Sequence, residues 1–213
     1  MARVKFEDLD KYTSRGSGNY FSLKDDGDVA TVRFLFDTLD DIPIRVHDIK
    51  IGDTYRTVEC LRSYDDPVSK CPLCAAKNQP KVKLYMPLVE YVDDEEIGTK
   101  IWQRPQSFST KIGSQFARYK NFSSHFFEIE RHGRAGDQKT TYELFEVNKD
   151  DKSADDYEVP NALGTLVMQK TAEEMDYFLD NGDFPQSSDD EPRHESRRSE
   201  RVTRRTPANR NTF

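Results

Sequence analysis

Apolar residues alternate with polar ones over several short stretches of this 213-residue chain, and the alternation predicts strands. Residues 43–51 and 54–61 are rich in β-branched and aliphatic side chains and meet at Gly52-Asp53, a two-residue hairpin signal. In that register Ile51 faces Thr54, Val46 faces Glu59 and Arg45 faces Cys60, which sets His47 diagonally across from Cys60 on one face of the ribbon. Residues 19–23 and 29–36 read as a hairpin around the Asp-Gly turn of 24–28, with Val32, Phe34 and Phe36 sharing a face. Residues 81–92 alternate for a full strand, in which Pro87 implies an edge position or a bulge. There Val82, Leu84, Met86 and Leu88 point to a core, and Lys81, Lys83, Tyr85, Val89 and Tyr91 point away from it. Residues 100–104 return as a strand with Trp102 and Arg104 on the same side, and 122–130 with 139–147 form a further hairpin.

Helical spacing is confined to two places. Ile112, Phe116 and Tyr119 predict a helix over 109–121 whose apolar side is core. Thr171-Ala172-Glu173-Glu174 is a capping box that opens a helix through Met175, Phe178 and Leu179, closed by Asn181-Gly182. Many short strands with one central helix point to a mainly β protein, an OB-type Greek-key barrel carrying an inserted loop, rather than to a parallel α/β sheet. The implied organisation is an N-terminal arm over 1–18, a core over 19–147 with a metal-binding subdomain at 43–80, a segment with a short helix over 148–183, and a disordered tail over 184–213.

Composition changes this picture mainly through where the charge lies. The formal net charge is -7, yet residues 1–142 hold 22 Lys+Arg against 22 Asp+Glu. Residues 143–183 hold 3 against 12, and residues 184–213 hold 7 against 5. A neutral body is therefore followed by an acidic segment and an arginine-rich end, and the overall charge does not argue against a nucleic-acid partner. Mean hydropathy is -0.88, with no apolar run of membrane-spanning length, so a soluble protein of a reducing cytosol with no membrane partner is expected.

All three cysteines and one of the four histidines fall in one short window: His47, Cys60, Cys71 and Cys74. The hairpin places the first two, and Cys71-Pro72-Leu73-Cys74 is a knuckle in which two thiolates can grip one ion. Three thiolates and one imidazole make the closed tetrahedral set that structural Zn2+ prefers. A redox Cys-x-x-Cys normally opens a helix after a strand, whereas Pro72 and the upstream Asp65-Asp66-Pro67 suggest a loop. The sequence contains no nucleophile elbow, phosphate loop, HExxH or deaminase signature, and a non-enzymatic role is expected.

Elsewhere aromatic residues interleave with cations: Tyr85 and Tyr91 with Lys81 and Lys83, Trp102 with Arg104, and Phe116 and Tyr119 with Arg118 and Lys120. Single-stranded nucleic acid asks for this combination, because bases stack on flat side chains while cations track phosphates. The competing reading is that these aromatics fill the core.

The four ligands, with Tyr64 inside the loop and aromatic-basic strands following, resemble the zinc-containing single-stranded-DNA-binding proteins of tailed bacteriophages, the T-even helix-destabilising type. The resemblance spans roughly residues 19–147. It implies an OB-fold core whose zinc subdomain helps form a cleft, tyrosines that stack on bases, cations that bind the backbone, and a place in phage DNA replication or recombination in the host cytoplasm. Carried over, it makes His47, Cys60, Cys71 and Cys74 the ligands, and Tyr64, Tyr85, Tyr91 and Trp102 stacking residues by position. It also implies that the C-terminal region contacts replication or recombination proteins. The chain departs from that type in its arm, which lacks a compact basic cluster, and in its arginine-rich end, Arg197 to Arg205. An adaptor that binds replication proteins through the acidic segment is the alternative from a different class.

Overall fold

The computed structural model of the protein describes residues 19–185 apart from 94, 135 and 138. Seven strands form one antiparallel sheet: β1 (Val29–Phe34), β2 (Pro43–Ile51), β3 (Thr54–Glu59), β4 (Lys81–Val92), β5 (Glu95–Pro105), β6 (His125–His132) and β7 (Thr141–Lys149). Helices are few and short: α1 (Pro72–Ala75) is a single turn, and α2 (Ser109–Arg118) and α3 (Ala172–Asn181) have ten residues each. The strand order is β3-β2-β4-β1-β6-β7, with β5 on the other edge of β4. None of the helices among the described residues is long and apolar enough to cross a membrane.

β4 is the centre of the sheet rather than the edge that Pro87 suggested. One side of β4 pairs along its length with β5; the other is shared, β2 taking Lys81 to Leu84 and β1 taking Leu88 to Tyr91. Pro87 falls between these two partners. Its carbonyl accepts from Leu35 N–H at 2.9 Å, so its nitrogen faces the same side, at a break between strands. The missing N–H costs little there, because no ladder acceptor waits for it. A register shift at Glu90/Tyr91 adds the bulge.

The core face follows the predicted alternation. Leu84, Met86 and Leu88 meet Val32, Phe34 and Phe36, and α2 closes over them with Ile112 buried and Phe116 stacked on Phe36 at 6.3 Å. Trp102 packs edge-on against Phe21, Phe108 and Tyr142. The opposite face of β4 is also buried, which the alternation did not predict. Residues 154–167 cross it: Ala154 and Tyr157 pack on Leu35, Val89 and Tyr91, and Ala162 and Val167 pack on Val46, Tyr85 and Ile101. Their apolar residues follow neither a two- nor a 3.6-residue period, so no strand or helix signal marks them. This strap is pinned at both ends. Arg33, fully buried, donates to Asp150 Oδ2 at 2.5 Å and to the carbonyls of Ser123 and Lys152. Beyond it, Met168 bonds backbone to backbone with Thr57 and Glu59 on the β3 edge.

Two further expectations are corrected. Residues 19–23 do not pair with β1; Phe21 N–H bonds to Ile101 O and Ile101 N–H to Asn19 O, a short parallel contact along β5. The β6–β7 hairpin begins at His125, because Asn121 takes a left-handed conformation (φ 53°) and Phe122–Ser124 forms a 3-10 turn. α3 starts and stops where its capping box and Gly182 predict, with Gly182 at φ 77°. Phe184, assigned to the tail, is buried and stacks on Phe178 at 5.0 Å. The arm over 1–18 and the tail from 186 onward lie outside the described residues.

Candidate metal centre and adjoining groove

The β2–β3 hairpin forms in the predicted register. Gly52 supplies the positive φ of the turn at 56°, Ile51 pairs with Thr54, Val46 with Glu59, and Cys60 N–H bonds to Arg45 O at 2.8 Å. His47 therefore projects on the same face as Cys60. Residues 68–70 make a 3-10 turn, and Cys71 then caps α1 with Pro72 in its first turn. The knuckle does open a helix, contrary to expectation, although a helix of one turn. α1 ends in a Schellman arrangement: Lys77 is left-handed (φ 64°), its N–H bonds to Cys74 O, and Asn78 N–H reaches Leu73 O. That reversal delivers the Asn78 side chain to the histidine.

The four side chains converge. Cys60 Sγ lies 3.6 Å from Cys74 Sγ, His47 Nε2 lies 3.5 Å from both Cys71 Sγ and Cys74 Sγ, and all four ligand atoms fall within 4.8 Å of one another. A tetrahedral ion with sulfur at ~2.3 Å and nitrogen at ~2.0–2.1 Å requires edges of about 3.8 Å between sulfurs and about 3.6 Å from sulfur to nitrogen. The side chains fit that figure. On its other side the imidazole is 3.2 Å from Asn78 Oδ1, and Asn78 Nδ2 donates to Asp48 O. With the amide so anchored, Nδ1–H donates to Oδ1 and Nε2 keeps the lone pair that a metal takes.

Burial supports the same reading. All four residues are buried, His47 and Cys71 completely, with Met175 of α3 4.0 Å from Cys71 Sγ as a lid. Burial pushes the Cys74 thiol up to about 12, with the neighbouring Cys60 and Cys71 adding to it, and burial lowers the His47 pKa. Neutral imidazole is the ligating form. Thiolates this close, however, need a cation among them to be charged at neutral pH. The cluster can hold a metal ion with no position open to solvent.

The predicted aromatic platforms are largely absent from the surface. Tyr85 is 2% exposed and Trp102 1%, both in cores. Tyr91 is buried as well, its hydroxyl between Arg33 Nε (3.3 Å) and Tyr157 Oη (2.9 Å). These three are corrected from exposed stacking candidates to interior side chains. Arg104 is half-buried with its guanidinium 4.1 Å from the Tyr142 ring centre. Lys83 and Lys81 both bind Asp48, at 2.5 and 3.1 Å; burial would raise that carboxyl, but the two ammonium groups outweigh it and hold it low. Lys81 remains largely exposed, as do Arg118 and Lys120 at the end of α2. Tyr64 is 85% exposed.

A groove of about 1310 Å³ runs between the metal-binding hairpin and the sheet. Its lining includes Arg62 and Tyr64 of the loop after β3, Arg45 of β2, Lys81 of β4, and Pro105 and Gln106 at the end of β5. The loop that carries Tyr64 is braced from below: Asp66 accepts from Ser63 N–H at 2.6 Å and from Lys70 at 2.7 Å, and Arg62 donates to Tyr64 O at 3.1 Å. Arg45 and Arg62 were not singled out in the sequence. Arg45 was legible as the residue opposite Cys60, but its exposure depends on where β4 and residues 105–107 lie. No family model matches the chain, and no curated protein or solved structure does so either.

Proposed function

We propose that this protein binds single-stranded DNA without strong sequence preference and performs no catalysis, with a structural Zn2+ at its Cys3His centre. The observation that carries the reading is the groove between the metal hairpin and the sheet: an exposed tyrosine on a braced loop, with Arg45, Arg62 and Lys81. A base stacks on the Tyr64 ring while the cations meet successive phosphates. The acids Asp41 and Glu59 also line the groove and offset part of its positive charge.

Zn2+ is the ion that a set of three thiolates and one imidazole in closed tetrahedral order favours, and a metal without an open position stabilises the groove wall rather than activating water. The order β5-β4-β1-β6-β7, with one helix between β5 and β6, supports an OB-type reading of the body in which the β2–β3 hairpin is an insertion. The ligand pattern and the groove together favour a role like that of the phage proteins it resembles, in DNA replication or recombination within the host cytoplasm, with the C-terminal region as the contact for partner proteins.

Anisotropy of a labelled oligothymidylate across a salt series tests the proposal. Tyr64→Ala is expected to cost about 1–3 kcal/mol of binding with no change in melting temperature. Arg62→Ala should lower the slope of log affinity against log salt by about 0.7. Tyr85→Phe should change neither. No binding by the wild-type protein at low salt overturns the reading and leaves the adaptor role.

A further inference from the structure

A second groove, of about 510 Å³, lies beneath the strap on the other side of Ile44. Its floor and walls are apolar, with Ile44, Pro87 and Val159 among them, and Asp37, Asp41 and Asp155 stand around it. No lysine or arginine lines it among the described residues. Asp37 accepts from the Ser123 N–H at 3.3 Å and hydroxyl at 2.9 Å, which leaves the exposed Asp41, before β2, and Asp155, in the strap, as charges of the lining. Such a site repels phosphate. It suits arginine, whose methylene stem packs on apolar surface while the planar guanidinium takes a carboxylate in two parallel hydrogen bonds.

We propose that this groove holds the chain's own arginine-rich C-terminal stretch, residues 201–205. Beyond Pro185 the chain carries seven arginines between Arg193 and Arg210, against only Glu195 and Glu200 in the same span. Arg201-Val202-Thr203-Arg204-Arg205 brings cations on both sides of one small apolar side chain, complementing a groove that combines carboxylates with apolar lining and holds no cation. Reach permits it: the 16 residues from Pro185 to Arg201 span up to about 50 Å when extended, more than the ~40 Å across a body of this size. The tail then supplies to the acidic groove the positive charge that the body lacks there. This inference is independent of nucleic-acid binding, because the groove is built against phosphate.

The test uses the full chain without DNA. Thr203→Lys and Thr206→Lys leave every arginine in place and introduce amines beside them that a carbodiimide couples to a carboxylate in direct contact. Mass spectrometry is expected to find those amines joined to Asp41 or Asp155 within one molecule, at a yield independent of protein concentration. Raising the salt from 0.05 to 0.5 M should lower that yield at least about threefold, since the contact is between charges at the surface. Asp41→Asn with Asp155→Asn should abolish it. Coupling spread over other acids, or coupling between molecules that grows with concentration, overturns the proposal, the latter by assigning the groove to a second copy.

Discussion

The metal-binding hairpin and the middle of the sheet bury their side chains by opposite means. In the hairpin, Ile49, Val58 and Leu73 gather around Cys60, Cys71 and Cys74, and α3 with the residues after it adds Met175, Phe178 and Phe184 as a cover. In the sheet, seventeen buried apolar side chains, seven of them aromatic, pack directly on one another, with Arg131 donating to the hydroxyl of one of them, Tyr142. The hairpin cluster is small for holding four polar ligands in an apolar interior by packing alone, and an ion held by them would supply what area does not. The sheet has area enough, and its cost lies elsewhere: one fully buried Arg33 that fastens the strap. The two regions therefore respond to different insults, one to loss of a ligand and the other to loss of a hydrogen-bond hub.

The largest effect is expected from breaking the first region. Cys71→Ser removes a ligand that is completely buried, and the remaining thiols then lack the cation that allows them to be charged. Structural zinc contributes roughly 10–16 kcal/mol of apparent binding energy in small metal-folded domains, so a loss of at least about 5 kcal/mol in stability is expected, with elemental analysis falling from one Zn2+ per chain to none. Chelation of the wild type should reproduce it. Because Met168 bonds to the β3 edge and leads into α3, melting followed by circular dichroism should show the strap loosening with the hairpin. An unchanged melting temperature after chelation would remove the metal from the account.

Arg33→Ala attacks the second region and ranks next. It strips hydrogen bonds from Asp150, Tyr91 and two carbonyls and empties space over the Phe126 ring, 4.3 Å from the guanidinium carbon. Asp150 is about a third exposed and recovers part of its solvation, so about 3 kcal/mol is expected rather than the upper end for a buried charge left alone. Urea unfolding measures it. The metal content should stay at one ion per chain, which separates the two regions.

These regions also differ in how far they could be read in advance. Ligands, turn and register of the hairpin all lie within residues 43–80, and each is fixed by a local rule: Gly52 for the turn, alternation for the faces, two intervening residues for the knuckle. The alternation of β4 is right for the face that packs with Val32, Phe34 and Trp102 in the core. It was misread on the other, because what covers Tyr85 and Tyr91 comes from 154–167, some 70 positions away and without periodicity. Alternation identifies two faces; it does not say that one of them is wet. The groove was legible only in part for the same reason, since Tyr64 sits in the local loop but Pro105 and Gln106, which also line it, come from some 40 positions further on.

Within the hairpin, Asn78 separates holding a metal from merely having ligands. It touches no ion; it holds His47 by Nδ1 at 3.2 Å and is itself tied to Asp48 O. Asn78→Ala is expected to lower zinc affinity about 10–100-fold while leaving the four ligands in place. Competition with a chromogenic chelator reads the change directly. An unaltered affinity would mean that packing around the ring, not the amide, fixes the imidazole.

The smallest effect concerns the residue that delivers Asn78. Lys77 sits at φ 64°, where a side chain with Cβ is disfavoured by roughly 1–2 kcal/mol, yet the reversal needs this conformation so that Asn78 N–H can reach Leu73 O. Glycine adopts it without that strain but loses more chain entropy on folding, about 0.4–1 kcal/mol. The two terms nearly offset, and Lys77→Gly should gain at most about 1 kcal/mol with zinc affinity unchanged. A β-branched residue reverses the sign: Lys77→Val is disfavoured in the left-handed region and should pull Asn78 off the histidine, lowering zinc affinity in the same direction as Asn78→Ala. Measuring both variants by chelator competition and thermal melt separates backbone from side chain. If Lys77→Val binds zinc as tightly as the wild type, the Schellman turn is not what orients the imidazole, and the hairpin alone places His47.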